Sequence, residues 1–304
     1  MLLLAGLFSS CGKPSENEAD LWYGFTDDKG TEIQLTYKPC RVAVLFSSLA
    51  DVWLLAGGEI TITVGESVER GFADETVILA DSGAGKTINT EVLLGAEPDF
   101  VICSSDVEAQ VKTAELLNKA GIPSACFRIE SFEDYLRVLG IFTDITGNSE
   151  AYTQSGKAVE ERIDSLLNSV EGKNGGDILF IRSGSGASSA KAKTAEQHFA
   201  AAMLSDIGTY NIAESAPLLL EGLSIEAVLQ EDPEFIFIST MGDDEAARAH
   251  MESVLQTPAW QAISAVKNGC VYYLPRELFQ YKPNAKWDIA YEYLIGIVYG
   301  SEKE

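Results

Sequence analysis

The chain has 304 residues, room for two domains of about 150 residues each, and 46% of them are apolar, enough for substantial cores. Asp and Glu number 46 against 22 Lys and Arg, a formal charge of −24, which argues against a nucleic-acid partner held through its phosphates because that needs a basic face. Two histidines (His198, His250) and five cysteines without a Cys-x-x-Cys spacing leave little for a zinc centre or a His-dependent triad, so neither a catalytic nor a metal site is expected.

The chain begins MLLLAGLFSSCGKPSENEAD. The apolar run Leu2 to Phe8 is too short to span a bilayer and fits the core of a signal peptide. Ser9 and Ser10 directly before Cys11 resemble the lipobox of bacterial lipoproteins, with Phe8 where leucine is usual and no basic segment ahead of the run. In that family the cysteine becomes the lipidated amino terminus. Cys11 is therefore the expected lipidation site, 1–11 the signal peptide and 12–23 a polar tether. The alternative is an ordinary cysteine on a buried amino-terminal helix. Cys40, Cys103, Cys126 and Cys270 fall in or beside predicted strands and read as buried free thiols, with any pairing left open.

Beyond the tether, 25–35 reads as a hairpin turning at Asp-Asp-Lys-Gly. Strand 41–46, helix 47–58, strand 60–65, strand 77–80, a short helix, strand 99–104, helix 107–121, strand 122–128 and helix 131–147 follow. This is β-α alternation with nearly unbroken apolar strands, the pattern of a parallel sheet covered on both faces. Residues 148–171 form one long helical pattern, with Tyr152, Val159, Ile163, Leu166, Leu167 and Val170 on one face and Asn148 as a cap. After GKNGG the alternation resumes: strand 177–182, helix 194–208, a short helix, a strand, helix 243–256, strand 270–275 and helix 286–300. The fold class expected is α/β, two Rossmann-like lobes with parallel sheets joined by one long backbone helix. The boundaries are 24–147, 148–172 and 173–304.

One segment occurs in both halves. INTEVLLGAEPDFVI (88–102) and LSIEAVLQEDPEFIFI (223–238) each place a Glu (Glu91, Glu226) in a short apolar-periodic run. A Pro follows seven residues later (Pro98, Pro233), and an acidic residue then opens a strand. Helix, proline stop and buried strand are thus used twice.

The FTDD-G start, RVAVL-SSLADV-LLAGG, NTEVLLGAEPDFVI, the AGIP strand and the single linking helix together resemble the helical-backbone class of ABC-transporter substrate-binding proteins, over about residues 24–300. These proteins deliver ferric siderophores, haem or vitamin B12 to an importer. The resemblance implies an extracytoplasmic, lipid-anchored monomer without enzymatic activity or cofactor. Its partners would be a metal-chelate ligand, either an iron–siderophore complex or haem, and the transmembrane permease subunits. A corrinoid ligand is the alternative within the class; a lipoprotein enzyme or a P-loop NTPase are alternatives outside it. The family's permease-docking glutamates fall on Glu91 and Glu226, where Arg–carboxylate pairs would form. The plainer reading of both is an acid favoured by a helix amino terminus.

Carboxyl ends of parallel strands open into the cleft. Arg70, Arg182 and Arg276 follow such strands, which suggests a ligand with carboxylate or catecholate groups; the alternative is local pairing with rim acids. Ser47, Ser48, Ser104 and Ser183 occupy similar ends, and Phe72, Phe279 and Tyr281 are placed to stack on a flat ligand. These ten residues are the expected ligand contacts, while Trp53 fits the core better. ADSGAGKT (80–87) satisfies a loose P-loop pattern, but it leads into a short helix and lacks an acidic strand-end partner. It reads as a connecting or cleft loop, as does FIRSGSGASS (180–189), which lacks the third glycine of a dinucleotide motif.

Overall fold

The computed structural model describes residues 21–81, 87–186 and 189–300. Cys11 and the centre of the ADSGAGKT stretch lie outside the described residues. Strands β1 (Tyr23–Thr26) and β2 (Glu32–Leu35) form the expected antiparallel hairpin. Asp27 organises its turn, accepting from the N–H groups of Lys29 (3.0 Å) and Thr31 (2.8 Å), and anchors it to the lobe through the N–H of Cys126 (2.8 Å).

The first sheet is parallel, in the order β5 (Ile78–Leu79), β4 (Ile62–Thr63), β3 (Val42–Val44), β6 (Phe100–Ser104), β7 (Ser124–Phe127). Strands β3, β6 and β7 are buried along their whole length, which is why they read as unbroken apolar runs. Helices Ser47–Leu55 and Phe132–Thr146 pack on one face. Helices Thr90–Gly95 and Glu108–Lys119 pack on the other. In the second sheet β10 (Tyr210–Asn211), β8 (Asp177–Ser183), β11 (Phe235–Thr240) and β12 (Val271–Tyr273) are parallel, and the short β9 (Lys191–Ala192) adds antiparallel to β8.

Between the sheets runs the backbone helix, built from Ser149–Tyr152, a π turn Thr153–Lys157 and Ala158–Val170. The Tyr135 hydroxyl donates to the Ser155 carbonyl inside that turn (2.8 Å). Gly156 lies so close to helix Phe132–Thr146 that a Cβ would come 2.7 Å from Leu136 Cδ1. The turn is therefore seated on the first lobe by a hydrogen bond and a glycine contact, neither of which has a periodic signature. Trp287, at the start of the last helix (Trp287–Val298), meets Phe132 of the first lobe edge-on at 6.5 Å and Phe199 of the second at 5.5 Å. Arg162 of the backbone helix pairs with Asp288 at 2.5 Å. One continuous core thus includes Phe100, Ile163, Phe180 and Trp287, so both lobes lean on the same apolar layer. The helix expected over 194–208 begins only at Phe199, because His198 caps it by accepting from the Ala200 N–H at 3.2 Å. No helix among the described residues is long and apolar enough to cross a membrane.

Candidate functional site

Where the strand order of a parallel sheet reverses, neighbouring carboxyl ends diverge and leave a crevice. In the first sheet the reversal lies between β3 and β6, whose ends lead into Ser47–Ser48 and Ser104–Asp106. In the second it lies between β8 and β11, whose ends carry Arg182–Ser183 and Thr240–Met241. These ends form the cleft.

Arg70 follows the short helix Gly65–Glu69. Its Nη1 donates to the hydroxyls of Ser47 (2.8 Å) and Ser48 (3.2 Å). Its guanidinium carbon lies 4.7 Å from the Phe72 ring centre and 4.0 Å from that of Tyr281, which belongs to the second lobe. Arg276 stands 5.8 Å from the same tyrosine ring and donates to the Gly242 carbonyl at 3.0 Å. Arginines of opposite lobes therefore flank one tyrosine, and neither makes an ion pair among the described residues. Burial lowers the basicity of Arg70, with Asp51 and Glu66 opposing it. A 310 Å³ pocket opens here, lined by Asp51, Arg70, Phe72, Glu277, Tyr281, Lys282, Pro283 and Lys286. Its floor is tied across the lobes by Asn284, which is fully buried with φ of 51°. The Asn284 amide donates to the Ser48 carbonyl (3.0 Å) and the Asp51 carboxylate (2.8 Å). Burial raises the Asp51 carboxyl, against that hydrogen bond.

A second group of cations lies at the end of β8. Arg182 has a buried Nε without a hydrogen-bond partner and makes no ion pair among the described residues. Burial lowers its basicity, and Glu130 of the first lobe is the acid that opposes this. Lys282 pairs with Glu130 at 2.9 Å and sits 4.6 Å from the Phe199 ring. Arg128, at the end of β7, pairs with Asp106 at 2.9 Å and reaches Glu130 at 3.9 Å. Larger space adjoins this group, a 390 Å³ pocket along the backbone helix that shares Glu130 and Phe199 with it, but its charged lining is Glu130, Glu133, Glu160, Asp164 and Asp206. That lining opposes an anionic ligand, whereas the cleft favours one.

The structure brings together Ser47, Ser48, Arg70, Phe72 and Tyr281 directly, and sets Arg182 and Arg276 at strand ends of the second lobe. Phe279 requires a correction: expected as a ligand contact, it is 0% exposed and packs on Tyr293 at 5.8 Å. It lies in the one-turn helix Arg276–Phe279, which turns it into the core and leaves Tyr281 outside. Ser104 and Ser183 are also buried; Ser104 Oγ accepts from the Asp106 N–H at 3.2 Å, and Ser183 donates to the Gly184 carbonyl at 3.1 Å. These two serines shape strand ends, and Ser47 and Ser48, expected as ligand contacts too, are equally buried at 1% and 3% exposed and reach the site only by accepting from Arg70. Arg128, Glu130, Lys282 and Asn284 were not among the expected residues. Arg128 ends a parallel strand just as Arg182 does, so the strand-end rule itself could have found it. Cys103 and Cys126 are buried register partners on β6 and β7, and Cys40 is exposed, its thiol raised by a hydrogen bond to Asp99.

The repeated segment is repeated in its backbone. Glu91 and Glu226 are exposed in the first turns of Thr90–Gly95 and Ile225–Glu231. Glu97 and Asp232, just before the two prolines, share a left-handed conformation (φ 48° and 46°), otherwise found among the described non-glycine residues only at Asn284. Leu94 and Leu229, three residues after each glutamate, are both 40% exposed.

Residues 42–278 match the model of a family described as periplasmic binding protein. No curated protein matches the sequence significantly. Among solved structures, the siderophore-binding protein BauB, bound to ferric iron and two acinetobactin molecules, has a TM-score of 0.72 at 16% identity, covering 92% of this chain and 99% of that one. A periplasmic solute-binding protein of Veillonella parvula gives 0.70 at 17% identity, covering 91% and 86%. The periplasmic vitamin B12-binding protein BtuF of Vibrio cholerae gives 0.69 at 18% identity, covering 88% and 100%.

Proposed function

The chain belongs to the periplasmic binding protein family, and on that premise we propose that it is the solute-binding protein of an ABC importer, capturing an iron complex between its lobes. The family is one of binding proteins, so the cleft needs affinity and release rather than a catalytic group. The observation that carries the ligand class is the charge of the cleft. In a chain of formal charge −24, Arg70 and Arg276 flank Tyr281 and Arg182 stands at the end of β8, and none of the three has an ion pair among the described residues. Such cations suit an anionic chelate, a siderophore with carboxylate or catecholate groups, or the propionates of haem. Phe72 and Tyr281 offer ring faces beside them. The bound ferric siderophore of BauB agrees with this class.

Helices that return the chain to the amino end of a parallel strand begin near the carboxyl ends of the sheet, so Glu91 and Glu226 start on the cleft side of their lobes. Both are exposed, and the helix dipole stabilises each in place. One carboxylate per lobe suits arginines on a two-fold permease. Lipidation at Cys11 would hold the protein at the outer face of the cell membrane, as an extracytoplasmic monomer.

The cleft is tested by titrating Arg70→Ala, Arg182→Ala and Arg276→Ala with a ferric catecholate or carboxylate chelate, following tryptophan fluorescence. Loss of a desolvated charged hydrogen bond costs about 1.5–3 kcal/mol, so Arg182→Ala should weaken binding by roughly tenfold or more. Unchanged affinity in all three variants would show that these arginines only serve the rim. Tighter binding of a corrinoid than of any ferric chelate would move the protein to the other ligand class.

A further inference from the structure

The geometry points to Glu130 as a built-in occupant of an anion station formed by Arg182, Lys282 and Arg128, a place that a polycarboxylate group of the ligand takes when it enters the cleft. This rests on the cleft being the solute site. Three features carry it. The first is charge: three cations face Glu130 and Asp106, Asp106 is engaged by Arg128 at 2.9 Å, and Asp134 acts on Arg128 alone of the three. Glu130 is the acid paired with Lys282, at 2.9 Å, with Asp106 adding to it, and Glu130 is also the acid that acts on Arg182. One carboxylate does not satisfy both, and Arg182 Nε is left buried without a hydrogen bond. A buried cationic donor without an acceptor is costly, so the station is short of anionic oxygen.

The second feature is position. Glu130 follows β7 in the first lobe, while Arg182 and Lys282 belong to the second, so the contact crosses the cleft. Its backbone is pinned, the Glu130 N–H donating to Asp134 at 2.9 Å, but its side chain is 30% exposed and borders solvent. The third is how firmly the cations are fixed. Lys282 is only 17% exposed and lies over the Phe199 ring at 4.6 Å. Arg182 extends from a strand held on both sides, opposite Ser239 of β11 and Lys191 of β9. Two fixed cations beside one partly exposed acid, paired with only one of them, is the arrangement expected of exchange: the ligand's carboxylates replace Glu130, which turns to solvent.

Glu130 therefore competes with an anionic ligand, and removing its charge should strengthen binding. The probe is metal-free citrate, followed by thermal shift at constant ionic strength set with chloride, so that screening is equal throughout. Wild type should be stabilised saturably by citrate. Glu130→Gln should melt lower without citrate, and its midpoint citrate concentration should fall about two- to fivefold, the range for releasing a partly exposed ion pair. Glu130→Asp, which keeps the charge but shortens the reach, should lie between them and guards against a folding defect in the glutamine variant. Arg182→Ala should lose the response in either background. An unchanged or weaker citrate response in Glu130→Gln would overturn the proposal, as would the absence of saturable stabilisation in wild type. If citrate behaves as expected but no ferric chelate binds, the iron-complex reading fails and the station stands. If a ferric chelate binds but citrate shows no dependence on Glu130, the station alone fails.

Discussion

At His198, burial decides the protonation state. The ring is 7% exposed, packs on Phe180 at 4.8 Å and Phe199 at 4.9 Å, and offers Nδ1 as the helix cap. Burial, then Arg182, Lys282 and Lys193, push its pKa down from 6.5 to about 3. The neutral ring suits the cap, because an imidazolium could not accept the Ala200 N–H. The unfolded chain takes up this proton near 6.5 while the folded chain resists until about 3, so the unfolded state binds more protons in that window. Stability therefore falls as pH drops, by about 1.4 kcal/mol per unit between roughly pH 6 and 4 from this group alone. His198→Asn keeps a capping acceptor and removes the titration. Its melting temperature should fall less steeply between pH 6 and 4 than that of wild type; an equal slope would mean that His198 titrates normally.

Among the elements, the two repeated helices show what sequence can carry. The helix, the proline stop and the strand were legible because each rests on a local rule: apolar period, missing N–H, buried run. So were the hairpin at Asp27–Gly30, the alternating strands and the existence of a long linking helix. The π turn at Thr153–Lys157 was not, since it depends on Tyr135 reaching Ser155 from another helix. One-turn elements such as Arg276–Phe279 are too short for periodicity to show, and that helix is what moved Phe279 from the expected site into the core. Part of the site was legible by the strand-end rule, which led to Arg70, Arg182 and Arg276. The Glu130–Lys282 pair was not, because its partners are 152 residues apart and meet only when the lobes assemble. Glu91→Ala combined with Glu226→Ala should abolish uptake in cells while affinity in solution stays within about twofold, a change below roughly 0.5 kcal/mol. Lost affinity would put the carboxylates in the ligand site, and normal uptake would make the repeat architectural only. In the same cells Cys11→Ala should appear in the medium, and equal membrane retention would rule out the lipid anchor.

At the largest scale, two mainly parallel sheets lean on one shared layer of helices. Trp287, inserted between Phe132 and Phe199, and the Arg162–Asp288 pair bind both lobes to that layer. Asn284 and Tyr281 add contacts across the cleft floor. A joint of this kind favours small adjustments over wide hinge opening, because a large rotation would expose the common core to water. Side-chain exchange within the cleft can then admit the ligand with little domain motion. Whether this cleft holds an iron complex is read from the absorption spectrum and metal content of protein purified from its own cells. A ferric charge-transfer or Soret band with close to one iron-complex equivalent per chain, reduced in Arg182→Ala, is the expected result. A corrinoid spectrum, or a bound nucleotide without iron, would contradict it.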